Sequence, residues 1–528
     1  MRKRNIAIWL PLMLLIIALL VLPYGCGGPS ADSGGLPSGV EEIIGSADFT
    51  NSTWGLRVID LESGEEVFSS LNPDIMLDPA STTKLFTVAS GFATLGADHT
   101  FETPVYRTGD VSPGGVLDGD LVLEASGDLI MGGRGGLTGT VEYTSYDHND
   151  ANALGMGELT QGDPLAGLDE LARQIAAGGI VEVSGDVIID DRLYGPGSSF
   201  NPHEEYIITP IMINDNLIDL TISPTQPGSP AQVEWRPSTA AYRVENKVET
   251  AAEGEGVSIE IGSTAPGVIV VEGQVPMGDA GAVRTFGVDD PASFARTLFI
   301  EALRHAGVVV GAPESGENDS GRLPAAGSYK EADRVALLSS PSFKEIAKLI
   351  LKVSHNLGAD SVLYWIAVHG GSNTLEDGLA IEHDFLTEAG VDTAGMIIND
   401  GQGAFGANFV SPSSAVQLLR YMSTRGDFEA YRDCLPVLGV DGSLANTLTD
   451  SPAAGNVQAK TGTHVGMDTM NERIVMYARG LGGYMVTAGG RELAFYVNVN
   501  NVPLGDMDEM MPLIEKHASI LEVIYEEY

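Results

Sequence analysis

Apolar and polar positions alternate through "WGLRVIDLESGEEVFSS" on both sides of Glu62-Ser63-Gly64-Glu65, which predicts a hairpin. Past Asp78-Pro79 the period changes. In "STTKLFTVASGFATLG", Leu85, Val88, Ala89 and Phe92 recur at helical spacing, so a helix with a buried side is expected. From about 101 to 325 the chain breaks into short β-like segments: "GVLDGDLVLEAS", "VEVSGDVIIDD", "NLIDLTISP", "GVSIEIGS" and "GVIVVEGQV". Gly, Pro and Asp turns separate them. Helical spacing returns in "SFKEIAKLILKV", where Ile346, Leu349, Ile350 and Val353 share a face. Ser354-His355-Asn356 interrupts it and "ADSVLYWIAVHGG" resumes it. Near the end "NVQAKTGTHVG" reads as a strand and "GGYMVTAGGRELAFYVNVNN" as a hairpin turning at Gly489-Gly490. "MDEMMPLIEKHASILEVIYEE" reads as an amphipathic helix.

Two early strands, a helical middle, late strands and a closing helix make one α/β domain, which the β-rich stretch interrupts. A chain of 528 residues is too long for one core, so more than one domain is expected. The division predicted is an export segment over 1–26 and a flexible Gly/Ser/Pro linker over 27–40. The α/β domain follows in two parts, 41–100 and 326–528, around a mostly-β insert over 101–325. No fixed-period repeat is present in the insert, and Lys247 is its lone lysine.

Composition narrows the partners. Seventy-two acidic residues against 29 Lys and Arg give a net charge of −43, which excludes a nucleic-acid binder that needs basic patches. The N-terminus adds an address. Arg2, Lys3 and Arg4 precede an apolar run from Ile6 to Leu22 and then small residues, the layout of an export signal. Cys26 ends that run after Gly25, as in a bacterial lipoprotein signal, although Pro23 stands where leucine is usual. Lipidation of Cys26 and an uncleaved membrane anchor both fit. The expectation is an exported protein of the cell envelope, in the periplasm or on the outer face of the cytoplasmic membrane, anchored by this segment. Cys434, the only other cysteine, is expected to be a small buried residue, so the core must hold without a disulfide.

Candidate chemistry begins with Ser81 and Lys84. Serine needs a base to act as a nucleophile. Residues three apart at a helix start lie on one face, so the Lys84 amine can reach the Ser81 hydroxyl. Free N–H groups there can hold a developing oxyanion. Burial beside other cations would strip Lys84 of its proton. Ser-x-x-Lys alone is weak, and ordinary helix-start residues would look the same. Two further signatures follow in order: Ser354-x-Asn356 between two helices, and Lys460-Thr461-Gly462-Thr463 on a strand. These three occur together in serine β-lactamases and penicillin-binding proteins. Ser354 can relay a proton to the leaving amine, and Asn356 can bond Lys84 and a substrate carbonyl. Lys460 supplies positive charge, Thr461 and Thr463 hydroxyls can take a substrate carboxylate, and Gly462 lets backbone approach the ligand. The backbone N–H groups of Ser81 and Thr463 would form the oxyanion hole. The histidines lack ligand spacing, so no metal or cofactor is expected, and His355 and His464 read as structural or rim residues. Asp128, Asp215 and Asp400 read as turn residues.

With these motifs the chain resembles the D-alanyl-D-alanine carboxypeptidase/endopeptidase family of class C low-molecular-mass penicillin-binding proteins. The long insert between the first two motifs is similar to that family's. So are "GDLVLEASGDLIM", "VSGDVIIDDRLYG", "TPIMINDNLIDLTISP", "INDGQGAFGANFVSP" and "LPVLGVDGSLANTL". The likeness runs from about 40 to 528. Departures are Leu129 for proline, Gln402 for serine, Phe405-Gly406 for Leu-Ser, His355 within the second motif and His464 after the third. "MDTMNERIVMYARG" looks like extra sequence. The resemblance implies an α/β (α+β) fold of the β-lactamase/transpeptidase type, an antiparallel sheet flanked by helices. It also implies a serine DD-peptidase, carboxypeptidase or endopeptidase, that cleaves peptidoglycan peptides through an acyl-enzyme on Ser81. β-Lactam antibiotics would acylate the same serine. A serine β-lactamase, or a non-catalytic envelope-binding protein of the same fold, would share much of this pattern.

Overall fold

The structure, a computed structural model, describes residues 35–201, 204–404 and 406–528. The expected export segment, with Cys26, lies outside the described residues. The linker was expected to run to residue 40, but Ser38–Ile44 is helical. Val40 is fully buried, and Ile43 and Ile44 pack into the same cluster as the C-terminal helix, which gives this short helix its reason to form.

A four-stranded antiparallel sheet organises the parent domain. Its order is Thr53–Asp60, Glu492–Leu504, Arg473–Val486, Val457–Asp468, so the first strand pairs with the last. Alternation along Glu492–Leu504 decides its faces. Leu493, Phe495, Val497 and Val499 share a core with Leu513, Ala518 and Leu521 of the helix Met510–Glu527. Ala494 and Tyr496 join the core on the other face, with Leu85, Phe86 and Val88 of the helix Lys84–Thr94. Each such side chain contributes about 2 kcal/mol on burial, so a free, buried Cys434 costs the fold nothing.

Two local expectations change. The expected early hairpin is one strand, Thr53–Asp60, whose returning arm makes only isolated bridges, Ile59 to Glu66 and Leu56 to Leu71. The central partner of Thr53–Asp60 comes instead from Glu492–Leu504. "MDTMNERIVMYARG" is no separate addition. It is the end of Val457–Asp468, a turn, and the start of Arg473–Val486.

The insert leaves and returns at one place. Glu102–Arg107 departs the parent domain, and Arg334–Ser339 comes back antiparallel to it, with Glu102 opposite Ser339. Small sheets fill the insert, one of them ordered Gln232–Arg236, Leu217–Ser223, Ala282–Gly287. It also holds helices that its sequence pattern did not suggest, the longer ones being Ala166–Ala177 and Pro291–His305. Leu168, Leu171, Phe294 and Leu298 bury them in a core of the insert's own.

Candidate active site

Ser81 sits in a tight turn, Ala80–Thr83, that runs directly into the helix Lys84–Thr94. The turn is strained: Ala80 has φ +46°, the left-handed region. Its surroundings hold it there. Asp78 accepts the Ala80 N–H at 2.9 Å. Asn500 accepts the Asp78 N–H, and the Asn498 and Asn500 amides donate to the Asp78 carbonyl. Thr82 bonds Pro79 O and the Tyr496 hydroxyl.

Lys84 is fully buried, and three acceptors match its three ammonium protons. They are Ser81 Oγ at 2.9 Å, Asn356 Oδ1 at 2.7 Å and the Gln402 carbonyl at 2.8 Å. Burial lowers its pKa to about 8, against the carboxylates of Asp360, Asp150 and Asp400, which favour the charged form. Lys84 of the first motif and Asn356 of the second therefore meet. Gln402 uses its backbone carbonyl, so the departure in its side chain leaves this contact intact. That side chain donates to Asp360 Oδ2 at 2.9 Å.

Ser354 lies in the turn between the helices Phe343–Lys352 and Asn356–His369, with φ +64°. Its hydroxyl has no hydrogen bond to Lys84; the third Lys84 proton goes to Gln402 instead. His355 is fully buried rather than on a rim.

The third motif occupies the edge strand Val457–Asp468. Lys460 is fully buried and donates to the Thr461 carbonyl at 2.7 Å. Burial, and then the charge of Lys84, hold its pKa well below the ordinary lysine value. For Lys84 the leading cause is burial, which the sequence reading named together with neighbouring cations. Gly462 presses on the serine turn: a Cβ there would lie 2.4 Å from Pro79 O. Thr463 Oγ1 accepts from Arg479 at 2.8 Å, and Thr461 Oγ1 meets Ser443 Oγ at 2.8 Å. His464 bonds the Asp78 carboxylate at 3.0 Å, tying the strand to the serine turn.

Sequence reasoning missed Asp360, Asp150, Ser443 and Arg479. Arg479 is buried, its pKa lowered to about 10 by desolvation. It lies opposite Thr463 in the sheet register, which only the hairpin pairing reveals. Asp150 comes from the insert, yet it acts on both Lys84 and Lys460. Among the described residues, Asp147, His148 and Asp215 lie close enough to share an ion, but the Arg134 guanidinium donates to both carboxylates and supplies the positive charge itself. A cavity of about 690 Å³ opens elsewhere, between Phe101, Tyr106, Arg192 and Trp365, and none of its walls is a motif residue.

A serine hydroxyl joined to a buried amine, in a turn that leads into a helix packed against an antiparallel sheet, is an arrangement suited to acyl transfer. The chain belongs to the D-Ala-D-Ala carboxypeptidase 3 (S13) family, whose model matches residues 36–517, and is accordingly a serine DD-peptidase. It is 28% identical to a D-alanyl-D-alanine carboxypeptidase of Actinomadura sp. (strain R39), covering 95% of this chain and 90% of that one. It is 22% identical to the D-alanyl-D-alanine carboxypeptidase DacB of Haemophilus influenzae, covering 87% and 88%. The fold is similar to the crystal structure of penicillin binding protein 4 (dacB) from Haemophilus influenzae. There the TM-score is 0.67 at 20% identity, over 90% of this chain and 97% of that one.

Proposed function

We propose that Ser81 is the nucleophile and Lys84 its base. The observation that carries this is the fully buried Lys84 amine bridging Ser81 Oγ and Asn356 Oδ1. Once deprotonated, Lys84 takes the Ser81 proton as Oγ bonds the carbonyl carbon between two D-alanine residues of a peptidoglycan peptide. The N–H groups of Ser81 and Thr463 hold the oxyanion. Collapse expels the terminal D-alanine, whose amine receives the proton from Lys84, with Ser354 as relay. Water then adds to the acyl carbon and frees Ser81. Thr461, Thr463 and Lys460 hold the substrate carboxylate, with Arg479 behind Thr463. A penicillin carbonyl would enter by the same route and stay longer.

The basic and apolar start of the chain supports export and attachment to the cell envelope, with Cys26 as the acceptor of a lipid. Incorporation of labelled palmitate that is lost in Cys26→Ala checks this part.

Mass spectrometry of the protein after penicillin treatment tests the chemistry. An adduct on Ser81 is expected, absent from Ser81→Ala. It should form faster as pH rises through about 8, where Lys84 loses its proton. Lys84→Ala should slow it by about 10²- to 10⁴-fold. No adduct in the parent sinks the proposal, and rapid turnover of the adduct would mark a β-lactamase.

A further inference from the structure

The turn that carries Ser354 and Asn356 does not hold itself. A left-handed serine such as Ser354 costs about 1–2 kcal/mol and persists only where its surroundings fix it. The residue between, His355, is the buried cap of the helix Asn356–His369. The Gly358 N–H donates to His355 Nδ1 at 2.9 Å. A backbone N–H can only donate, so Nδ1 carries no proton and Nε2 carries one. Nε2 is 2.9 Å from Asp215 Oδ2, a residue of the insert.

Asp215 is in turn immobilised. It is the middle of Asn214-Asp215-Asn216, three consecutive residues with φ of 53°, 57° and 57°. Asn and Asp tolerate this region better than other residues, and Asn214 and Asn216 bond back to Leu217 O and Ile211 O. Asp215 Oδ2 also accepts from Arg134 at 2.7 Å and meets His148 Nε2 at 2.8 Å. Arg134 grips Asp147, while Asp219 bonds both His148 and Arg236. Three carboxylates thus face two guanidiniums and His148, whose pKa rises to about 10: burial opposes its charge, but Asp219 and Asp215 outweigh that. The charge balances, so Asp215 keeps its own, held well below the carboxylate range by Arg134 and His355 despite burial.

We propose that Asp215 and His355 are positioning residues: through their hydrogen bond the insert holds the Ser354–Asn356 turn in its working place. Asn356, next to His355, supplies one of the three acceptors of Lys84. The insert therefore completes the acyl-transfer site although its network touches neither Ser81 nor Lys84 by a hydrogen bond.

This rests on Lys84 being the base for Ser81, and the test separates the two. The full chain is compared with Asp215→Asn and with His355→Asn, which keeps an acceptor for Gly358 N–H and loses the reach to Asp215. Acylation by a fluorescent penicillin is followed across neutral and alkaline pH. Each variant should be roughly ten- to a hundredfold slower. Its ascending limb should move to lower pH, because Lys84 loses an acceptor that favours its ammonium. Lys460, Asp360, Asp150 and Asp400, the other charged groups acting on or beside Lys84, are left unchanged. A folded variant with the parent's rate, or one slowed with the limb in place, overturns the positioning role. Nitrogen-15 NMR of the histidine-labelled parent must also show His355 protonated at Nε2; protonation at Nδ1 overturns it whether or not the variants fold. A parent that takes up no penicillin overturns the Lys84 reading instead.

Discussion

Single atoms decide how closely the edge strand meets the serine turn. Gly462 has no Cβ, and one added there would sit 2.4 Å from Pro79 O and 3.0 Å from Thr82 N, both backbone. Backbone cannot yield as a flexible side chain can, so the strand would have to lift away. Gly462→Ala should slow acylation by roughly a hundredfold and lower the thermal midpoint by a few degrees. Gly480→Ala, whose Cβ would meet the Thr82 methyl at 3.1 Å, should cost far less. Equal effects in both variants would show that contact with Pro79 does not set the geometry. At this scale the sequence displayed Ser81, Lys84, Asn356 and Lys460. It could not display Gln402 O, because any residue offers a carbonyl and only the fold aims one at an amine.

Among the elements, the helix Leu375–Glu388 carries an internal liability. Glu382 is 2% exposed, and neither carboxylate oxygen has a hydrogen-bond partner. Burial, and then the charge of Asp400, push its pKa up to about 8 from 4.5. A carboxyl whose folded pKa lies above its unfolded one binds its proton more tightly in the native state. Stability is then undiminished below about pH 4.5 and falls as pH rises towards 8. Glu382→Met should therefore raise the thermal midpoint at pH 8 by several degrees, and much less at pH 4.5. Calorimetry at the two pH values checks this, and a pH-independent gain would point to packing alone. Periodicity located most elements of the parent domain, since helix and strand each bury a regular face. It missed Ala166–Ala177 and Pro291–His305, which lie within a run of short strands whose alternation dominates the local pattern.

Across the whole molecule, a net charge of −43 means that most long-range forces between surface groups are repulsive. Added salt screens them over about 10 Å at 0.1 M. The thermal midpoint should rise by several degrees between low salt and half-molar sodium chloride, and a fall would show that ion pairs outweigh the repulsion. By itself the sequence determined most of the alternation that builds the sheet, and the three motifs and their order. Each is written within a few consecutive residues. Only the tertiary structure decided that Asp150 faces Lys84 and Lys460, that Asp215 meets His355, that Asp360 and Gln402 close around Lys84, and that Arg479 stands behind Thr463. These groups lie far apart along the chain, and local spacing carries no record of which distant side chains burial will bring together.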